Sequence, residues 1–122
     1  MSGDPYSAAV RELFAAPTHA GTVADGTRVL VEDQGMRVEI AASVAQGQLS
    51  AVRFRAWGCP HLIAAAEWAC RHYENGPASA LDKFPTDRIM EDLAVPTEKT
   101  GRILVLEDAI RSLGRSLTSK QT

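Results

Sequence analysis

The sequence lacks most of the features that assign a chain to a specialised class. It has only two cysteines in 122 residues, and a chain of this length buries a core without disulfides or metals, so we expect free thiols in a reducing cytoplasm. No apolar run approaches the ~20 residues of a membrane span. The opening MSGDPYSAAV has neither the basic start nor the apolar core of a signal peptide. A net charge of −2 offers no basic excess. We therefore expect a cytoplasmic protein that binds neither membrane nor nucleic acid.

Recognisable catalytic motifs are also missing. The chain contains no GxSxG, Walker or Rossmann glycine pattern, and no Ser, His and Asp in a familiar catalytic context. We therefore expect no ordinary turnover enzyme.

Alternating hydrophobicity in the first half predicts an antiparallel sheet. RVLVE is a short strand candidate, and residues 37–57 alternate apolar and polar on both sides of an AQGQ turn. This pattern is typical of a hairpin with one buried face.

Helical patterns flank these strands. Asp4-Pro5 is suited to starting a first helix, and a second one starts at Pro60. Two short helical pieces follow, the latter with Thr86 in a capping position, and a last helix is predicted over about residues 98–117. Strands grouped first and helices afterwards predict an α+β fold, with a three-stranded antiparallel sheet and helices packed on one face.

Cys59 is the first candidate for a functional side chain. It follows Gly58, where the strand pattern ends, and precedes Pro60, where a helix starts. A helix N-terminus presents free N–H groups and the positive end of the helix dipole, which stabilise a thiolate that accepts sulfur, ligates a metal or reacts with an oxidant. The alternative is that cysteine is only a compact residue at a tight corner. Cys70 falls on the apolar face of the same helix and is expected in the core.

A metal site around Cys59 is a second hypothesis. Cys59 and His61 could share a zinc ion with carboxylates such as Glu32 or Asp33. However, no CxxC or HxxxH pattern supplies a second ligand pair, and a surface position at the helix start is the plainer expectation for His61. His19, in the loop after the first helix, could approach the same face.

Several segments, taken in order, resemble the NifU/IscU-type iron–sulfur cluster scaffold proteins. YSAAVRELFAAPTHAG resembles the family's opening helix and Asn-Pro-x-Asn-x-Gly loop. AVRFRAWGCPHLIAAAE resembles its strand, Gly-Cys turn and small-residue helix, and IMEDLAVPTEKTGRILVLEDAIRSL resembles its closing segment. The resemblance covers about residues 6–117. It implies the same architecture, one domain over residues 1–122, and a role in iron–sulfur cluster biogenesis.

The family's ligand residues map onto this chain only in part. The family holds its cluster with three cysteines, helped by an Asp near the first and a His beside the third. The resemblance places the middle cysteine at Cys59, the first at Glu32 and the third at Arg102. The Asp and His positions fall at Gln34 and Gly101. A cluster needs about four good donors, mostly thiolates, so we expect no tightly bound cofactor, with an iron–sulfur cluster or zinc held by additional ligands as the alternative.

A second resemblance concerns the chemistry. SufE-type sulfur acceptors share this architecture and carry one active cysteine in a Gly-Cys turn before a helix. They accept persulfide sulfur from a cysteine desulfurase. By this analogy Cys59, with Arg102 as its neighbour, is expected to carry sulfur, and a cysteine desulfurase is the expected partner.

The chaperone-docking segment is less well matched. The family's Leu-Pro-Pro-Val-Lys corresponds to residues 95–99, where Pro96 and Lys99 match but Glu98 replaces an apolar anchor. We therefore do not expect tight docking of an Hsp70-type chaperone. The sequence indicates a divergent scaffold-like accessory that transfers sulfur through Cys59. A cofactor-free binding or regulatory module and a weak zinc- or iron-binding protein are the alternatives.

Overall fold

The computed structural model describes residues 6–121 of the chain. Asp4 and Pro5, which the sequence predicts to start the first helix, lie outside these residues. The first helix, α1, spans Ala8–Ala15. Its N-cap is Ser7, whose hydroxyl accepts a hydrogen bond from the Val10 amide at 3.2 Å.

Three strands form an antiparallel sheet in the order β1-β2-β3. Their bounds are Thr27–Asp33, Met36–Ala45 and Gln48–Trp57. The two hairpins turn at Gln34–Gly35 and Gln46–Gly47, where every residue has a positive φ, as a type I′ turn requires. The hairpin predicted from the alternating pattern is confirmed.

Three helices follow the sheet: α2 spans Pro60–Tyr73, α3 spans Thr86–Asp92 and α4 spans Thr100–Gln121. Short 3₁₀ turns at Ala78–Asp82 and Thr97–Lys99 precede α3 and α4.

The starts of three helices and the end of the last one differ from the sequence prediction. Helix α1 begins at Ala8 with Ser7 as its cap, later than the predicted start at Asp4-Pro5. Pro85 occupies the N-cap position of α3, so the prediction of Thr86 as the cap is wrong. The Thr86 hydroxyl instead donates to Glu107 at 2.9 Å. The last helix begins at Thr100, because a 3₁₀ turn forms directly after Pro96, and it continues beyond Leu117.

The core lies between one face of the sheet and helices α2 and α4. Alternate side chains of β2 and β3 point into it and are almost completely buried. They include Val38, Ile40, Ala42, Val52 and Phe54. The predicted α+β architecture, a three-stranded antiparallel sheet with helices on one face, is confirmed. Among residues 6–121, no helix is long and apolar enough to cross a membrane.

The two edges of the sheet differ. Along β3, the Gly21 amide donates to the Phe54 carbonyl at 2.8 Å, and the Phe54 amide donates to the His19 carbonyl at 3.0 Å. The Leu49 amide donates to the Gly76 carbonyl at 2.7 Å. These bonds close the β3 edge. On the other edge, residues 28–32 of β1 bond through their backbone only to β2 within the described part of the chain.

Candidate functional site

Three segments of the chain meet at one end of the sheet. The β1–β2 turn reaches the start of α4, because a Cβ atom built on Gly101 would lie 3.6 Å from Oε1 of Gln34. The β3–α2 junction packs on the first residue of β2, because a Cβ atom built on Gly58 would lie 3.1 Å from Cγ of Met36. The positions that the resemblance assigns to the family's Asp and His, Gln34 and Gly101, are therefore neighbours.

Cys59 is the N-cap residue of α2 and has an extended backbone, with φ −84° and ψ 161°. Its predicted place at a helix start is confirmed. The side chain is half-buried and packs partly against the core, but it makes no capping hydrogen bond to the N-terminus of α2. The first turn of α2 contains no acidic residue, so no neighbouring charge in that turn offsets the positive end of the helix dipole.

His61 lies inside the protein rather than at its surface. Only 2% of its surface is exposed, so the expected surface position is wrong. Its ring packs against that of Tyr6, with the centroids 4.9 Å apart, and neither ring nitrogen has a hydrogen-bond partner in the described chain. Burial lowers the pKa of His61, and the charges of Lys99 and Arg102 lower it further.

Arg102 is a second residue at this end of the molecule with a buried nitrogen that lacks a hydrogen-bond partner in the described chain. It lies in the first turn of α4, and its Nε atom is buried without a hydrogen-bond partner among residues 6–121. Its charge and that of Lys99 act on His61, which places two cations near the N-terminus of α2. Two positive charges beside His61 favour an anion over a metal cation there.

The predicted carboxylate ligands do not join this group. Val29 and Val31 pack against the core, so the alternate residue Glu32 points to the opposite, outer face of the sheet. Asp33 is exposed and lines a shallow surface pocket together with Glu32 and Trp57.

The four predicted zinc ligands are therefore not assembled. Among the residues that the structure describes, no group of three or more His, Cys, Asp or Glu side chains is placed to hold a metal ion. The predicted ligands are Cys59, His61, Glu32 and Asp33.

The second cysteine is inaccessible. Cys70 is fully buried in the core, as predicted, and both cysteines are free. Burial raises the pKa of the Cys70 thiol, and the negative charges of Glu67 and Glu74 raise it further. Of the two thiols, Cys59 is therefore the accessible one.

Sequence reasoning missed a carboxylate network deeper along α2. Glu67 is fully buried. It accepts hydrogen bonds from the His19 amide at 2.7 Å, the Thr18 hydroxyl at 3.0 Å and Nε of Arg71 at 2.7 Å. The His19 ring also lies 2.7 Å from Glu67 and 3.0 Å from Glu74. Burial alone would raise the pKa of Glu67, but these bonds hold it below its ordinary value. His19 thus anchors its loop to α2.

Comparison with known proteins agrees with this architecture. The family model of the NifU-like N-terminal domain matches residues 5–120. The structure is similar to that of a NifU-like protein (N-terminal) from Brucella abortus, with a TM-score of 0.76 and 15% identity over 93% of this chain and 94% of that one.

A second solved structure is also similar. It is a putative iron–sulfur cluster assembly scaffold protein for the SUF system from Fervidobacterium islandicum AW-1, with a TM-score of 0.71 and 12% identity over 89% of this chain and 96% of that one. A search of the curated proteins finds no match. Because the family model spans nearly the whole sequence, the chain belongs to the family of NifU-like N-terminal domains.

Proposed function

We propose that this protein is an accessory sulfur carrier in iron–sulfur cluster assembly, with Cys59 as the sulfur-accepting thiol and a cysteine desulfurase as the donor. Membership of the NifU-like family supports a role in iron–sulfur cluster assembly in general. The observation that carries the finer proposal is the solitary half-buried thiol at the N-terminus of α2. In this role the chain is a carrier and not an enzyme.

The donor set of this chain does not fit a cluster held as cargo. A cluster takes about four donors, mostly thiolates, whereas Cys70 is sealed in the core. Of the two remaining positions that correspond by resemblance to family cysteines, Glu32 is turned to the outer face of the sheet and Arg102 adds a fixed positive charge. A persulfide is an anion on one cysteine, so it needs no second ligand and is favoured by that charge.

The transfer is a thiol exchange in which atoms and electrons balance. The Cys59 thiolate attacks the outer sulfur of the desulfurase persulfide, the sulfur–sulfur bond of the donor breaks, and the donor cysteine leaves as a thiolate. One sulfur atom arrives on Cys59 as a persulfide without any external oxidant. The positive end of α2 and the positive charge of Arg102, which acts on the first turn of that helix, favour the anion that forms.

Incubation with a cysteine desulfurase and free cysteine tests the proposal. Intact-protein mass spectrometry is expected to show a gain of one sulfur atom on the wild type and on the Cys70→Ala variant. The Cys59→Ser variant is expected to stay unmodified, and Arg102→Gln is expected to gain sulfur several-fold more slowly. Absence of the added sulfur from the wild type, or equal addition to Cys59→Ser, would contradict sulfur transfer through Cys59.

A cofactor-free binding or regulatory module is the second candidate function. It is favoured by the absence, among the described residues, of any side-chain group placed to hold a metal ion. Such a module would capture the desulfurase with equal strength as wild type and as Cys59→Ser, and neither protein would gain sulfur. Pull-down of the desulfurase, run beside the mass measurement, therefore separates the two functions.

A further inference from the structure

The fold protects one edge of its sheet and leaves the other open. The β3 edge is bonded to the loop after α1 and to the residues after α2. Residues 28–32 of β1 make no backbone hydrogen bond on their outer side within the part of the chain that the structure describes. An unpaired edge is a template for another strand, and natural proteins commonly block it with lysine, proline or a bulge. Strand β1 contains none of the three, and its charged residues Arg28 and Glu32 are of opposite sign, so they can attract a second antiparallel strand as well as repel one.

The hairpin geometry identifies which groups of β1 face the open side. The Gln34–Gly35 turn has φ values of 53° and 79°, the type I′ form, so its flanking partners Asp33 and Met36 exchange backbone hydrogen bonds. Bonded positions alternate along an antiparallel pair, so residues 29, 31 and 33 bond to β2. The backbone N–H and C=O groups of Arg28, Leu30 and Glu32 therefore point away from the sheet.

Arg28, Leu30 and Glu32 are complementary to the same three residues of an antiparallel copy, because opposite charges and two leucines then face each other. We propose that β1 pairs antiparallel with β1 of a second copy of this chain, centred on Leu30, and joins two three-stranded sheets into one. In this register Leu30 faces its own copy, and Arg28 faces Glu32 at both ends of the paired segment. The three pairs exchange about six backbone hydrogen bonds, and each pair of opposite charges is a favourable cross-strand neighbour.

Other registers lose this complementarity. A shift by two residues places a charged side chain opposite Leu30. A shift by four residues places Arg28 opposite Arg28 or Glu32 opposite Glu32, and like charges directly opposite each other are destabilising. A shift by an odd number of residues turns Val29 and Val31 of the added strand, which face the core, to the outer face of the joined sheet. The pattern of charges therefore selects one antiparallel pairing.

Exposed apolar side chains lie at the same edge. Leu30 is 45% exposed, and Leu104 of α4, which lines a surface pocket with Asp33, is 47% exposed. The pairing places Leu30 against its own copy at the centre of the interface. A covered leucine at this point contributes apolar burial that a monomer lacks.

The pairing is independent of the proposed sulfur transfer. Strand β2 lies between β1 and β3, so the β3–α2 junction is about 10 Å from β1 in the plane of the sheet and Cys59 stays open to a partner protein. The pairing also gives Glu32 a second cross-strand neighbour of opposite charge, Arg28 of the second copy, beside Arg37 of β2, which already lies opposite it.

Sedimentation velocity over about 1 to 300 µM protein tests the pairing, because small interfaces associate weakly. The wild type is expected to shift from monomer to dimer as concentration rises. Arg28→Glu and Glu32→Arg each place like charges opposite one another twice in the symmetric pair, so each is expected to weaken association about tenfold. The double variant R28E/E32R restores both pairs and is expected to restore the dimer. Arg115→Glu, a charge reversal at an exposed position of α4 beside residues 78–82 and away from β1, is the matched control and should leave association unchanged.

Cross-linking provides a measurement that does not depend on charge reversal. In a Cys59→Ser background, Leu30→Cys places two thiols across the symmetry axis, where the Cα atoms of a bonded pair lie about 5.5 Å apart, within reach of a disulfide. Diamide is expected to cross-link this variant and to leave Arg55→Cys in the same background without a disulfide cross-link. A wild type that stays monomeric at the highest concentration, two single reversals that dimerise as well as wild type, or a double variant as weak as the singles would each overturn the proposal.

Discussion

Buried polar side chains have hydrogen-bond partners in the second half of helix α2 and lack them in its first turn. In the second half of the helix, Glu67 and Glu74 each accept several hydrogen bonds, and His19 lies between them. In the first turn, His61 is almost as deeply buried as Glu67, but neither of its ring nitrogens has a partner among the described residues. Nε of Arg102 is likewise buried without a hydrogen-bond partner among those residues.

This difference separates a part of the helix that stabilises the fold from a part that costs stability. A buried polar group without a partner costs about 1–3 kcal/mol, whereas a fully bonded network makes its surroundings rigid. Proteins tolerate local costs of this kind mainly where function requires them. The first turn of α2 also carries the accessible thiol, so the cost and the proposed chemistry coincide.

Glu67→Ala is expected to have the largest effect on stability. It leaves the His19 amide, the Thr18 hydroxyl and Nε of Arg71 without their acceptor. We expect the free energy of unfolding to fall by about 2–4 kcal/mol, because each buried donor that loses its acceptor costs about 1–3 kcal/mol, whereas Arg71 is about half exposed and contributes little. Urea denaturation followed by circular dichroism measures this change.

The acidic limb of the stability profile supplies a second readout for Glu67. Because its bonds lower the pKa of Glu67 below its ordinary 4.5, its contribution is complete above about pH 4.5 and disappears as the pH falls through the lowered value. The free energy of unfolding of Glu67→Ala should therefore fall much less with acidification than that of the wild type, and the remaining fall is due to Glu74. Glu91→Gln, at an exposed position, is the control. Equal effects of the two substitutions would show that the Glu67 network does not anchor the loop.

Gly58→Ala is expected to have the next largest effect, at the opposite end of α2. Gly58 has φ +155°, and an added Cβ would lie 3.1 Å from both Leu62 Cδ2 and Met36 Cγ. We expect a loss of about 1–3 kcal/mol from backbone strain and crowding. Gly35→Ala is the matched control, because Gly35 also has a positive φ (+79°) but nothing within 4 Å of the added atom. If both substitutions lower the free energy of unfolding by the same amount, close packing at the β3–α2 junction does not contribute to the cost of Gly58→Ala.

Local patterns were sufficient to predict the strands and the position of Cys59. The alternation in residues 37–57 depends only on neighbouring residues, and Gly58-Cys59-Pro60 marks the change from strand to helix within three positions. The Glu67 network was not predicted, because its partners come from a loop about fifty residues earlier in the chain. Its signal was the one acidic residue in the apolar run of α2.

The environment of His61 was mispredicted for a similar reason. A histidine in the first turn of a helix is usually exposed, but here Tyr6 covers its ring and α4 brings Arg102 toward it. Gln34 and Gly101, which the resemblance assigns to the family's Asp and His, lie next to each other, and their assignment as ligand positions stays a prediction. The direction of the Glu32 side chain depends on the strand register, which the spacing of motifs did not show.

His61→Phe is expected to have the smallest effect and the opposite sign. The substitution keeps a planar ring against Tyr6 and removes two nitrogens that lack partners in the described chain. We therefore expect the free energy of unfolding at neutral pH to rise by about 1 kcal/mol. Chemical denaturation of wild type and variant at matched protein concentration measures the gain.

The pH dependence identifies the source of that gain. Burial, Lys99 and Arg102 lower the pKa of His61 below its ordinary 6.5, so between the lowered value and 6.5 the unfolded chain binds a proton that the folded chain does not. The stability of the wild type is therefore full above about pH 6.5 and falls as the medium becomes more acidic, and the advantage of His61→Phe should grow over this interval. His72→Phe is the control for the gain at neutral pH, because its ring also has a lowered pKa but is exposed and stacks on Trp68, so the substitution removes no buried nitrogen. A destabilised His61→Phe would mean that the ring nitrogens contribute bonds to the folded state, and the contrast between the two ends of α2 would not hold.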